Sequence, residues 1–250
     1  MAVIPADYHP AADLLKDRRI LVTGAGDGLG RATALALAQH GATVILLGRT
    51  IGKLEAVYDD ITAAGSITGG AAAIYPMNLA GATWADYFEL ASTVERELGG
   101  LDGLAHCAAH FKAFTPLYDV EPKEWVESLQ VNLTAAFSLT RHCLPLLTKS
   151  ADASVVFVSD RPGREARPFA GAYGIAKAGI EQMAQMWATE MQSHPQLRFN
   201  TYNPGPLRGG LRLKGYPGEL IEQAPPPETA VPALLWLLGP DSRGVSGRRF

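Results

Sequence analysis

A chain of 250 residues, 47% hydrophobic and 19% charged, can bury one sizeable core, and α/β folds commonly use this length as a single domain. A net charge of -3 gives no reason to expect nucleic acid as a partner, and no apolar run reaches the length of a membrane span. Residues 1–15 lack the basic-then-apolar pattern of a secretion signal, and two cysteines, Cys107 and Cys143, build no disulfide framework; both features suit a cytoplasmic location.

Residues 1–17, containing Pro and Asp, read as a surface leader to the first strand. Ile20, Leu21 and Val22 form a short apolar run with β propensity, and Gly24, Gly26, Gly28 and Gly30 then crowd together before RATALALAQH, an alanine- and leucine-rich helix ended by Gly41. ATVILLGR (42–49) is a second nearly continuous apolar run, as expected of a strand buried on both faces of a parallel sheet. A helix over 50–64, a weaker strand within 69–80 ending near Pro76, a helix over 84–98 and a strand within 101–109 follow. Residues 121–149 read as one long helix that Pro145 bends or ends. A fifth strand over 154–159, a helix over 171–192, a sixth strand over 197–204, a helix over 229–238 and a short strand near 245–250 complete the alternation. The pattern predicts a Rossmann-type doubly wound parallel sheet of about seven strands with helices on both faces, in one domain spanning 1–250. Residues 205–228 carry recurrent Gly and Pro without a period, which suits a substrate lid or binding loop.

Strand, glycine turn and helix together make a phosphate site. Without Cβ atoms the turn lets a pyrophosphate approach the backbone, and the helix start offers free N–H groups. A tight turn that binds nothing needs fewer glycines, so Gly24, Gly26, Asp27, Gly28, Leu29 and Gly30 are the expected dinucleotide cradle. The second strand ends in Gly48 and Arg49; an arginine there suits a 2′-phosphate where an NAD site commonly has an acidic residue, so NADP(H) is expected over NAD(H). Tyr173 and Lys177 stand four apart in a helical stretch and share a face, where an ammonium lowers a phenol from about 10 toward neutrality and makes it a usable proton donor and acceptor. Asn132 either holds a water that links Lys177 to solvent or packs its helix. His106, His110 and Cys107 read as packed groups rather than metal ligands. The basic runs Arg161, Arg164, Arg167 and Arg208, Arg212, Lys214 are either solvated charge or receivers of an anionic substrate.

TGAGDGLG, QVNLT, YGIAK and NPGP, in this order and spacing, resemble the short-chain dehydrogenase/reductase family from about Asp13 to the chain end; DLLKDRRILVTGAGDGLGR and GATVILLGR resemble its YciK-like bacterial branch. The resemblance implies NAD(P)(H) binding, hydride transfer between nicotinamide and a small carbonyl or alcohol substrate, and a homodimer or homotetramer. It makes Tyr173 the acid/base, Lys177 the binder of the nicotinamide ribose and helper of Tyr173, and Asn132 a member of the proton relay. It places Asn78 and Leu79 near the adenine, Ala108 against the cofactor, and Pro204 and Gly205 beside the nicotinamide.

The chain also departs from that family. The family's active-site serine lies thirteen residues before the tyrosine, where this sequence has Asp160; Ser159 is adjacent, but on a strand a one-residue shift faces the other way. An ionised Asp160 accepts hydrogen bonds only, repels a developing oxyanion and raises the phenol against Lys177, unless it is protonated, neutralised by Arg161 or Arg164, or displaced by a bulge that lets Ser159 serve. HCAA stands where the family usually has Asn-Asn-Ala-Gly, and no threonine follows NPG. These departures keep a second expectation open: a nucleotide-binding sensor or scaffold with little reductase activity.

Overall fold

The computed structural model describes residues 3–5, 7–64 and 69–250, with the backbone alone at 221. Residues 1, 2 and 6 of the expected leader lie outside them. Six strands, β1 (Arg19–Thr23), β2 (Thr43–Gly48), β3 (Ala71–Pro76), β4 (Gly103–His106), β5 (Ala153–Val158) and β6 (Leu197–Tyr202), form one parallel sheet in the order β3-β2-β1-β4-β5-β6. The apolar runs become strands because both faces are covered. Alternate residues of β1 enter opposite cores: Leu21 packs with α3 (Trp84–Leu98), α5 (Ala135–Lys149) and α6 (Gly171–Glu190), while Ile20 and Val22 pack with α1 (Gly28–Gln39), α2 (Ile51–Ala64) and α8 (Val231–Leu238). Burying each such aliphatic side chain contributes about 2 kcal/mol.

Three expectations are corrected. Residues 245–250 run beside β6 but form only an isolated bridge, Thr201 to Arg249, because Gly244 and Gly247 take positive φ (77° and 71°) and turn the chain on both sides of Val245 and Ser246. Pro145 does not end its helix. The rod runs from α4 (Pro122–Leu129) through a π-helical turn (Gln130–Thr134) into α5, and the buried Cys143, Leu146 and Leu147 hold the turns around the proline. The leader is not wholly superficial: Leu15 is fully buried, its N–H donates to the His40 carbonyl (2.9 Å), and the Tyr8 hydroxyl donates to Asp241 (2.8 Å). The irregular 205–228 stretch contains a short helix, α7 (Gly210–Gly215), and Arg208 N–H donates to the Pro225 carbonyl (2.8 Å), tying the two ends of the loop together. Among the described residues no helix is long and apolar enough to cross a membrane.

Candidate active site

A cleft of about 870 Å³ opens along the carboxyl ends of the strands, across the point between β1 and β4 where the strand order reverses. Its floor is the glycine turn. A Cβ on Gly30 would stand 2.2 Å from the Gly24 carbonyl oxygen, and one on Gly24 (φ 68°) would stand 2.9 Å from the Ala108 Cα, so both positions admit only hydrogen. Gly28 (φ 48°) faces open space and starts α1. Asp27 caps that helix, accepting from the Gly28 N–H (2.8 Å), and pairs with Lys53, which holds its carboxyl below the usual carboxylate range. Lys53 thereby offsets a negative charge where an anion is to be received. These features fit a dinucleotide: a cradle that a Cβ would fill, and a helix start with its anion-repelling charge neutralised. Leu29 and Gly30 line the same wall, and Arg49 and Asn78 lie exposed at the ends of β2 and β3, with Leu79 beside them.

Farther along, Ser159, Asp160, Tyr173 and Lys177 meet between β5 and α6, and Ala108, Pro204 and Gly205 line the same cleft. The Tyr173 hydroxyl donates to Asp160 Oδ2 (2.9 Å), and Arg161 N–H donates to Asp160 Oδ1 (2.7 Å). Burial first, then the Asp160 charge and hydrogen bond, raise the Tyr173 phenol well above 10. This reverses the direction expected from the lysine alone. Lys177 Nζ donates instead to the Val158 carbonyl (2.7 Å) and lies 5.6 Å from the centre of the Tyr173 ring. Burial lowers the Lys177 ammonium to about 8, against the pull of Asp160. Neither neighbouring arginine neutralises Asp160: Arg161 pairs with Glu165 (2.8 Å) and Arg164 with Glu181 (2.8 Å). Ser159 Oγ is buried without a hydrogen-bond partner.

Asn132 lies behind the cleft. Its Nδ2 donates to the His110 carbonyl (2.7 Å) and the Ser128 carbonyl (2.9 Å), and its Oδ1 accepts from the His110 N–H (2.9 Å), fastening the π-helical turn to the loop after β4. A void of about 10 Å³ separates it from Lys177, at the lower limit for one water. His106 is bonded to Thr140 Oγ1 (2.9 Å) and stacked on Phe157. His110 is held by Glu124 (3.0 Å) and Glu127 (3.6 Å), a meeting that sequence spacing did not reveal.

The family model for short chain dehydrogenase matches residues 18–214. The chain belongs to the short-chain dehydrogenase family. The oxidoreductase YciK of Escherichia coli (strain K12) is 40% identical over 97% of this chain and 94% of that protein. The solved structure of a short chain dehydrogenase from Pseudomonas syringae is 44% identical with a TM-score of 0.93, covering 97% of each chain. One from Shigella flexneri, complexed with NADP, is 39% identical with a TM-score of 0.91, covering 96% of this chain and 98% of that one.

Within this short-chain dehydrogenase, the residues that sequence reasoning missed are aromatic. Phe111 packs edge-on against Tyr173 (5.2 Å between centres), Phe114 against Phe111 (5.1 Å) and Tyr216 against Phe114 (5.3 Å), so the cleft beside Tyr173 has a continuous aromatic wall. The FKAF spacing was the one available signal, and only the folded 205–228 loop brings Tyr216 to it.

Proposed function

We propose that this oxidoreductase uses NADP(H) and works on a carbonyl or alcohol substrate, with reduction of the carbonyl the favoured direction. The observation that carries this reading is a buried phenol and ammonium, Tyr173 and Lys177, at the closed end of a cleft that begins at a glycine cradle. The cradle and the start of α1 would hold the pyrophosphate, and Arg49, which has no carboxylate within 4 Å among the described residues, is free to receive a 2′-phosphate. The NADP held by the Shigella flexneri relative supports that choice. Bound NADPH would supply the hydride. Tyr173 supplies the proton to the substrate oxygen: a phenol held above 10 keeps its proton at neutral pH, which suits donation to a forming alkoxide and makes it a poor base toward an alcohol. To act, the hydroxyl turns from Asp160 to the substrate. Lys177, cationic below about 8, lends positive charge to that end of the cleft.

One observation favours a second reading, a nucleotide-binding sensor: Asp160 accepts the very proton that catalysis needs and offers no donor to the substrate oxygen. A panel of small carbonyl compounds with NADPH, comparing wild type with Tyr173→Phe, separates the two. Turnover by wild type that falls on loss of the hydroxyl supports the enzyme; NADPH binding without turnover of any compound supports the sensor. The apolar exposure of Phe137, Ile175 and Met186 on α5 and α6 supports a homo-oligomer, testable by light scattering.

A further inference from the structure

The substrate end of the cleft combines two features that the reductase reading does not use. One is the aromatic wall. The end of α7 closes on it, and a Cβ on Gly215 would come within 3.0 Å of the Phe114 ring and 3.3 Å of the Phe111 ring. The other is unspent positive charge. Arg161, Arg164 and Arg212 are each paired with a glutamate, whereas Arg167, Arg208 and Lys214, which line the same cleft, have no carboxylate within 4 Å among the described residues. Arg208 Nε is moreover shielded from solvent with no hydrogen-bond partner. A buried N–H donor left unbonded is unfavourable, and an arriving anion that accepts from it removes that penalty.

Resting on the reductase reading above, we propose that the substrate is an anionic carbonyl compound: a flat apolar body lies on Phe111, Phe114 and Tyr216, and a carboxylate or phosphate end is received by Arg167, Arg208 and Lys214. Asp160 sets the orientation. Its charge beside Tyr173 repels an anion, so the carbonyl end turns toward the phenol and the anionic end toward the lid. Glu127 also faces the cleft, but it is held by His110 (3.6 Å). The cofactor's phosphates have their own receivers, the start of α1 and Arg49, on the other side of the cleft.

The test uses three aldehydes on one aromatic body: p-carboxybenzaldehyde, p-formylphenyl phosphate and the neutral methyl p-formylbenzoate. Each is titrated calorimetrically into protein saturated with NADP⁺, which has no hydride to give, so binding is read without turnover. At least one anionic aldehyde is expected to bind about tenfold more tightly than the ester, with a preference that shrinks as salt is raised. The triple variant Arg167→Gln, Arg208→Gln, Lys214→Gln is expected to lose the preference and keep the ester's affinity. Equal binding of acid and ester, binding of none of the three, or a preference that survives in the triple variant overturns the proposal. Arg208→Gln is also titrated with NADPH by fluorescence: a tenfold loss there with the anion preference intact assigns Arg208 to a cofactor phosphate and overturns its place in the array. Preferential binding of an anion with no oxidation of NADPH by any aldehyde leaves this inference standing and removes the reductase reading.

Discussion

The two ends of the sheet treat charge in opposite ways. At the amino ends of the strands, Asp102 accepts from Arg19 (2.8 Å to Nε, 2.9 Å to the backbone N–H) and from Ser150 (2.7 Å), and Asp152 is gripped by Arg18 (2.8 Å), Arg198 and Arg243 (3.4 Å). Burial opposes the Asp102 charge, yet these partners hold its carboxyl below the usual carboxylate range. Apart from the Nε atoms of Arg18 and Arg198, the groups there close on one another. At the carboxyl ends, Asp160 has a tyrosine and one backbone N–H, and Ser159 Oγ and Arg208 Nε are buried with nothing to bond. At the amino ends the carboxylates are closed in by several cations, whereas at the carboxyl ends Asp160 has no cation within 4 Å among the described residues and Ser159 Oγ stands unbonded beside it, an arrangement that suits a strand-end binding site.

The largest expected effect breaks the first end. Asp152→Ala strands Arg198, which is 1% exposed, and is expected to lower stability by about 3–5 kcal/mol in denaturant unfolding. NADPH affinity of the folded fraction is expected to stay put. A variant that keeps its stability but loses the nucleotide would merge the two ends and defeat the comparison.

At the other end, Asp160→Ser exchanges an anion for a donor at the substrate oxygen. The expected gain in kcat/KM for carbonyl reduction is about a hundredfold, the reverse of removing one such donor. The pH profile gives the sign. Reduction needs the protonated phenol, so the rate falls as pH rises through the phenol's pKa; in wild type that limb lies above 10, and loss of the Asp160 charge moves it to lower pH. An unchanged rate and an unmoved limb would clear Asp160 of any part in restraining the chemistry.

Much of this contrast was legible in the sequence, and the part that was not has physical causes. The apolar runs of β1, β2 and β5 read as strands covered on both faces, and the glycine cluster read as a turn built for close approach, which Gly24 and Gly30 bear out in their packing while Gly28 serves through positive φ. Counting thirteen residues back from Tyr173 found Asp160 and its upward push on the phenol. What counting could not decide was whether Lys177 or Asp160 prevails, because burial, the leading cause, belongs to the folded cleft. The edge segment at 245–250 was read as a strand from its composition, whereas Gly244 and Gly247 act through positive φ. Phe114 and Tyr216 are 102 residues apart along the chain, so no local pattern could join them.

A smaller effect tests whether the site end carries unfavourable burial of its own. His106 is buried neutral, lowered by burial and then by Lys177 to about 3, while the unfolded chain titrates near 6.5. Between those values the unfolded state binds the extra proton, so stability is fully present above about 6.5 and falls with acid by up to about 1.4 kcal/mol per pH unit. His106→Asn, which can still bond Thr140, is expected to flatten that slope in unfolding experiments between neutrality and mild acid. A slope equal to wild type's would place the acid sensitivity elsewhere.

The smallest effect concerns the adenosine side. Arg49 is exposed and unpaired, so its attraction for a 2′-phosphate acts partly through solvent and is screened by salt. Arg49→Ala is therefore expected to weaken NADPH by about tenfold at most while leaving NADH unchanged, since NADH has no phosphate for the guanidinium to reach. The ratio of the two dissociation constants, measured by fluorescence at low and high salt, should shrink in wild type as salt rises and stay flat in the variant. That dependence separates Arg49 from the glycine cradle, whose backbone N–H groups would meet the pyrophosphate common to both nucleotides and so would not discriminate between them. A preference for NADPH that ignores both salt and Arg49→Ala would move the choice of cofactor to the cradle side, where Lys53 offsets Asp27.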